Sequence, residues 1–215
     1  MSFSYPIFLD ITGKPCLVTG EGFEIPNKVM GLVKRGARVT YVNPTAHETI
    51  RQLAESGDVM WHARNFEPAD LDDCFLVITD REDNADVFAL AEGRRVLCNA
   101  VDDPEHCRFS FGSLVSRGDL SVAISTNGIA PALAVRLRQR LERELGEEYS
   151  ALVTMLRELR PQISSGIQDF DERKTLWYRL IDSEALSLIR DGKIDQARKL
   201  LDDLIQEAKQ GNRRL

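Results

Sequence analysis

The sequence predicts a Rossmann-type α/β domain with a parallel sheet, followed by a pair of strands that form a hairpin or a dimer-forming sheet and by a small helical C-terminal domain. Three observations carry this. Strand and helix signals alternate to about residue 100, a Gly20-x-Gly22 turn follows the first strand, and everything from Pro131 onward reads as helix. The 215 residues, 43% hydrophobic and 29% charged, suffice for one α/β domain of roughly 100–150 residues plus a helical part.

Taken in order, Pro15–Thr19 reads as a buried strand broken by Gly20-Glu21-Gly22. A helix over Pro26–Arg35, with Val29, Leu32 and Val33 at helical spacing, ends at Gly36. Arg38–Val42 is a β-branched strand closed by Asn43-Pro44. A helix over Ala46–Glu55 and a short strand Val59–His62 follow. Cys74–Thr79 is a near-continuous apolar run, the pattern of a strand covered on both faces. Asn84–Glu92 is helical with Gly93 as its stop, and Arg95–Cys98 is the next strand. Strands alternating with helices of this length imply right-handed βαβ units.

Beyond residue 100, Phe109–Ser116 and Leu120–Ser125 read as two strands joined through Arg117-Gly118-Asp119, either a hairpin or a dimer-forming sheet. Leu133, Leu137, Leu141 and Leu145 then recur every four residues, and the helical pattern runs to Pro161. The spacing predicts a loop over Ile163–Asp171 and helices over Arg173–Asp191 and Ile194–Lys209, separated by Gly192.

Composition excludes several classes. No run approaches the ~20 apolar residues of a membrane span, and the Met-Ser-Phe-Ser-Tyr-Pro opening lacks the character of a signal peptide, so the expectation is a cytoplasmic protein with no membrane partner. A net charge of −6 argues against nucleic acid. Cys16, Cys74, Cys98 and Cys107 form no C-x-x-C pair, and His47, His62 and His106 share no ligand spacing, so no metal site is expected.

The chemistry-bearing feature is the turn after the first strand. Glycines let a backbone approach a pyrophosphate, and a helix N-terminus offers free N–H groups. Gly20, Gly22, Phe23 and Glu24 are therefore candidate cofactor residues, with Asn43, Pro44 and Thr45 after the second strand and Thr79 and Asp80 after the fourth. Against this, Ile25 stands where a third small residue is usual, Glu21 and Glu24 bring carboxylates near the phosphates, and the second strand ends in Asn43 rather than an acid.

Several stretches together resemble the precorrin-2 dehydrogenase family, including the dehydrogenase and ferrochelatase part of siroheme synthase. They are Tyr5-Pro6-Ile7-Phe8-Leu9-Asp10, the glycine loop with Lys28, Gly36-Ala37-Arg38-Val39-Thr40, Phe66-Glu67-Pro68-Ala69-Asp70-Leu71, Asn99-Ala100-Val101-Asp102-Asp103-Pro104, Ala123-Ile124-Ser125-Thr126-Asn127-Gly128 and Pro131-Ala132-Leu133-Ala134. The tail from Tyr149 to Ile205 is also similar to that of stand-alone members.

The resemblance implies a homodimer with an NAD-binding domain over 1–106, a dimerisation segment over 107–148 and a helical domain over 149–215. It implies NAD-dependent conversion of precorrin-2 to sirohydrochlorin, with Fe²⁺ as a second substrate in members that are also chelatases. Asp102 matches the family's catalytic Asp, as general base or holder of the pyrrole N–H groups. Thr126, Asn127 and Gly128 fall at the substrate pocket. The anionic tetrapyrrole calls for local cations, for which Arg136 and Arg140 are candidates.

Departures cluster on the nucleotide side. The usual G-G-G-x-V-A loop is Gly20-Glu21-Gly22-Phe23-Glu24-Ile25, the basic residue before Lys28 is Asn27, about three residues are missing at 78–80, and Asn127 replaces a glycine. They leave open an alternative, a tetrapyrrole-binding chelatase or carrier that has lost NAD. A third reading is an NAD-dependent reductase of another small molecule. With no basic residue directly after Val42, NAD is expected over NADP.

Overall fold

The computed structural model describes residues 5–212; the first four residues of the opening read above for signal-peptide character lie outside the described residues. The chain divides into two compact units, the first ending at Phe111 and the second starting at Gly112.

The first unit is a five-stranded parallel sheet of β1 (Pro15–Gly20), β2 (Arg38–Val42), β3 (Val59–His62), β4 (Leu76–Asp80) and β5 (Leu97–Ala100), in the order β3-β2-β1-β4-β5. Helices α1 (Ile25–Val33), α2 (Glu48–Glu55) and α3 (Asn84–Arg94) connect strands along it. Both faces are apolar because successive side chains alternate between them. Cys16 and Val18 pack with Ile25, Val29, Ile50 and Ile78, while Leu17 packs with Val42, Val77, Val87, Ala91 and Cys98. Each fully buried aliphatic contributes roughly 1.5–3 kcal/mol. The strand order reverses between β1 and β4, the kind of switch point at whose carboxyl-terminal edge open α/β sheets bind ligands.

Local signals explain the shifted boundaries. α2 starts at Glu48 rather than Ala46 because His47 caps it, accepting from the Thr49 amide at 3.2 Å. α3 runs through Gly93 and stops at Arg95, whose φ is +59°. The Val96 amide reaches back to the Ala91 carbonyl at 2.9 Å, and Val96 is buried. That closure places the left-handed residue at 95.

The cysteines are free. Burial pushes the thiols of Cys16 and Cys74 up to about 11 and that of Cys98 to about 12, and raises Cys107 as well.

The second unit opens with an antiparallel hairpin, β6 (Ser113–Arg117) and β7 (Leu120–Ile124). Gly118, with φ +58°, stands at the first position of the two-residue turn, where glycine suits the strand twist. Five helices follow: α4 (Pro131–Glu144), α5 (Glu148–Gly166), α6 (Phe170–Ile181), α7 (Ala185–Arg190) and α8 (Ile194–Asn212). Their core joins Leu152, Met155, Leu159, Ile163 and Ile167 to Leu176, Leu180, Ala197, Leu201 and Ile205.

Two helix expectations are corrected. α5 passes through Pro161 to Gly166, so the loop read at 163–171 shrinks to the residues between Gly166 and Phe170. Burial of Leu159 and Ile163 on either side of the proline holds the helix despite the missing N–H. The helix read as Arg173–Asp191 is two, because the Ser183 hydroxyl turns back to the Leu180 carbonyl at 2.7 Å.

No helix among the described residues is long and apolar enough to cross a membrane.

Candidate functional site

The C-terminal ends of β1, β2, β4 and β5 bring most of the nucleotide-side residues to one edge of the first unit. β1 ends on Gly20, which has φ +106° and pairs in register with Asp80 of β4. A side chain there would run into the Asp80 backbone, with its carbonyl carbon only 2.6 Å from the added Cβ. The Gly20 carbonyl accepts from the buried Tyr41 hydroxyl at 2.7 Å. Burial, then the Glu21 carboxylate, pushes the Tyr41 hydroxyl up to about 12.

Gly22 is a close approach of another kind, because the Asp80 carboxylate occupies the space a Cβ would need. Its carbonyl accepts from the Ile25 amide at 3.0 Å, starting α1. Ile25 is buried in the core, which explains a large residue at a usually small position. Glu24 precedes α1 without a side-chain cap, and Pro26 lies in the first turn. Among the described residues no acceptor meets the amides of Phe23 and Glu24. Both remain available at the positive end of the helix dipole.

The two loop carboxylates turn aside. Glu24 faces Lys28 at 3.8 Å, and Lys28 stands over the Phe111 ring at 4.4 Å from its centroid. Glu21 accepts from the Thr45 hydroxyl at 2.9 Å. The Phe23 ring is 90% exposed at the loop tip. Asn43 is buried and its amide donates to the Thr45 carbonyl at 2.9 Å and to its hydroxyl at 3.2 Å, while Pro44 is exposed.

After β4, the buried Thr79 hydroxyl donates to Asn84 Oδ1 at 2.9 Å, an atom that also accepts from the Arg81 amide. The Asp80 carboxylate has no hydrogen-bond donor among the described residues. Burial first, and then the neighbouring charge of Asp102, holds its carboxyl above the usual carboxylate range. Arg81 does not neutralise it, being committed to Asp83 at 2.6 Å.

Asp102 lies just past β5, on a turn closed by the Asp103 amide and the Ala100 carbonyl at 3.3 Å. Its φ of +56° is left-handed, a conformation that costs a non-glycine residue energy and recurs at functional sites. Asp103 binds His106 at 2.7 Å, so that histidine is oriented by its own turn.

The remaining candidates belong to the second unit. Asn127 and Gly128 have φ of +51° and +77°, and the Ile129 amide donates to the Thr126 carbonyl at 3.0 Å. Two successive left-handed residues are the signature of a type I′ turn, so Asn127 fits where a glycine was expected. The Thr126 hydroxyl accepts from the Ala130 amide at 3.2 Å. Arg136 donates to Gln139 at 3.2 Å, and Arg140 pairs with Glu144 at 2.8 Å. Sequence reading missed Tyr41, Arg81 and Asn84. Asn84 carried the one available signal, a polar residue opening a helix after a strand.

Among the described residues no group of three His, Cys, Asp or Glu side chains could hold a metal ion.

Three family models match the chain in succession. They are "Putative NAD(P)-binding" over residues 7–113, "Sirohaem biosynthesis protein central" over 117–144 and "Sirohaem synthase dimerisation region" over 148–205. Siroheme synthase 1 of Serratia proteamaculans is 33% identical over 210 residues, covering 96% of this chain and 44% of that protein. Siroheme synthase 1 of Yersinia enterocolitica is 37% identical over 199 residues, covering 91% and 42%. The chain thus spans less than half the length of these relatives. Among solved structures, SirC, a precorrin-2 dehydrogenase, shares the fold with a TM-score of 0.70 at 24% identity, covering 91% of this chain and 98% of that one. From Ile7 to Ile205, in the order the three models set, this chain belongs to the siroheme synthase family.

Proposed function

We propose that the chain dehydrogenates precorrin-2 to sirohydrochlorin, with NAD as hydride acceptor, on the way to siroheme. One observation carries the reading: the sheet edge that presents the glycine loop also presents Asp102 on a left-handed turn. The relatives named siroheme synthase and the fold shared with a precorrin-2 dehydrogenase support it.

The residues present fit the cofactor. The amides of Phe23 and Glu24 offer donors for a pyrophosphate, and Gly22 adds no side chain of its own between them and β1. The Asp80 carboxylate that fills this cradle is a side chain able to rotate away. When bound, NAD supplies a two-electron acceptor that becomes NADH. Removing a hydride and a proton from precorrin-2 then leaves one proton to place, and Asp102 takes it. Thr126, Asn127, Gly128, Arg136 and Arg140 are proposed to hold the macrocycle and its carboxylates.

The organisation proposed is a nucleotide domain over 1–106, a dimerisation segment over 107–148 and a helical domain over 149–215, in a cytoplasmic homodimer. Leu114, Ile129, Leu133, Val135 and Leu137 are exposed, an apolar set that a second copy would cover. Four reduced thiols suit the cytoplasm.

The test is anaerobic incubation with precorrin-2, with and without NAD, followed by absorbance. The expected result is NAD-dependent appearance of sirohydrochlorin with one NADH per product. Bound sirohydrochlorin with no melting-temperature shift at millimolar NAD would overturn the dehydrogenase reading in favour of a chelatase or carrier. Adding Fe²⁺ afterwards tests iron as a second substrate.

A further inference from the structure

In the common form of this fold, an acidic side chain at the end of the second strand takes the hydroxyls of the adenosine ribose. Here β2 is followed by Asn43, and its amide is committed inward to the Thr45 carbonyl and hydroxyl. Asn43 is buried and its carbonyl accepts from Trp61 Nε1 at 3.0 Å, so the residue is fixed from both sides.

A carboxylate does stand at that place, delivered from the glycine loop. Glu21 lies between Gly20 and Gly22, and its Oε2 accepts from the Thr45 hydroxyl at 2.9 Å. The attachment is built rather than incidental. Thr45 is held by Asn43, and the Tyr41 hydroxyl that bonds the Gly20 carbonyl also lies 3.3 Å from the Thr45 carbonyl. The end of β2 and the start of the loop are thus tied at both the main chain and the side chain. Glu21 is exposed, no cation pairs with it among the described residues, and its Oε1 has no donor.

We infer that Glu21 reads the adenosine ribose in place of the missing acid of β2, and thereby selects NAD over NADP. The inference rests on the NAD reading above. One carboxylate oxygen is anchored and the other is free to accept from a ribose hydroxyl. A 2′-phosphate at the same position would meet that charge at short range. Between residues 43 and 51 the one lysine or arginine is Arg51, and its Nε is given to the Ala46 carbonyl at 3.0 Å. The loop acid that looks like a liability toward the pyrophosphate therefore acts on the neighbouring sugar.

The experiment is calorimetric titration of the full chain with NAD and with NADP, for the unaltered protein, Glu21→Gln and Thr45→Val. The expected result is at least a tenfold preference for NAD. Glu21→Gln should lose most of that preference through weaker NAD and tighter NADP binding. Thr45→Val should weaken NAD by several-fold, because the carboxylate loses its anchor. An unchanged NAD/NADP ratio in Glu21→Gln, at an unaltered melting temperature, would overturn the inference while leaving NAD use intact. Absence of heat with either cofactor in all three proteins would overturn the NAD reading itself, and the inference with it.

Discussion

The Asp80 carboxylate rests on the Cα of Gly22, so the side chain that ends β4 closes the glycine loop that begins at β1. The same aspartate meets Gly20 through its backbone. One residue therefore crowds two glycines, Gly20 through its backbone and Gly22 through its side chain.

Gly20→Ala would drive a methyl group into main chain at a φ of +106°, and nothing there can rotate away. A loss of about 3 kcal/mol or more is expected. Gly22→Ala meets only a carboxylate that can swing aside, so ~1 kcal/mol or less is expected. Urea unfolding of both variants checks the ordering.

Asp80 also sets a pH dependence. Its folded-state pKa is raised above 3.8, by burial first and by Asp102 second. The folded chain consequently binds that proton more tightly than the unfolded chain, and stability falls as pH rises from 3.8 through the raised value. Asp80→Asn removes the ionisable group. It should raise the melting temperature at pH 7 by about 1–3 °C, with the gain shrinking as pH falls toward 3.8. Paired thermal melts across that window measure it.

Asp102→Asn separates geometry from proton transfer. Asparagine tolerates the left-handed turn, so melting temperature and NAD affinity should stay close to those of the unaltered chain. Turnover of precorrin-2 should fall by a factor of ~100 or more. A kcat within a few-fold of the original would remove Asp102 from the chemistry.

Pro161 lies inside α5 and withholds the amide that would meet the Arg157 carbonyl. Because the core on either side already holds the helix, Pro161→Ala should restore that bond with little repacking. A gain of about 1 kcal/mol is expected, read as a higher midpoint in denaturant at unchanged slope.

The strands and the helix faces were legible because β-branched runs and 3.6-residue spacing are local signals. Arg38–Val42 and Val59–His62 stand where the pattern put them. Helix ends were less legible. Gly93 is a plausible stop, but the bond from Val96 to Ala91 moved the end to Arg95. Pro161 is a plausible stop, but buried Ile163 carried the helix past it. Both outcomes depend on contacts made elsewhere in the chain. At the site, the glycine loop and Asp80 were readable, whereas the tie from Tyr41 to Gly20 and from Thr45 to Glu21 spans more than twenty residues and leaves no local trace.

The raised thiols, three of them buried and Cys74 partly so, have a practical corollary. At pH 7 a sulfhydryl titrating near 11 spends about one part in ten thousand as thiolate. Maleimides, iodoacetamide and peroxide therefore find little to attack at Cys16, Cys74 or Cys98. A single cysteine placed at the exposed Phe23 position would carry a fluorophore at the mouth of the loop, with the buried Cys16, Cys98 and Cys107 shielded from the reagent.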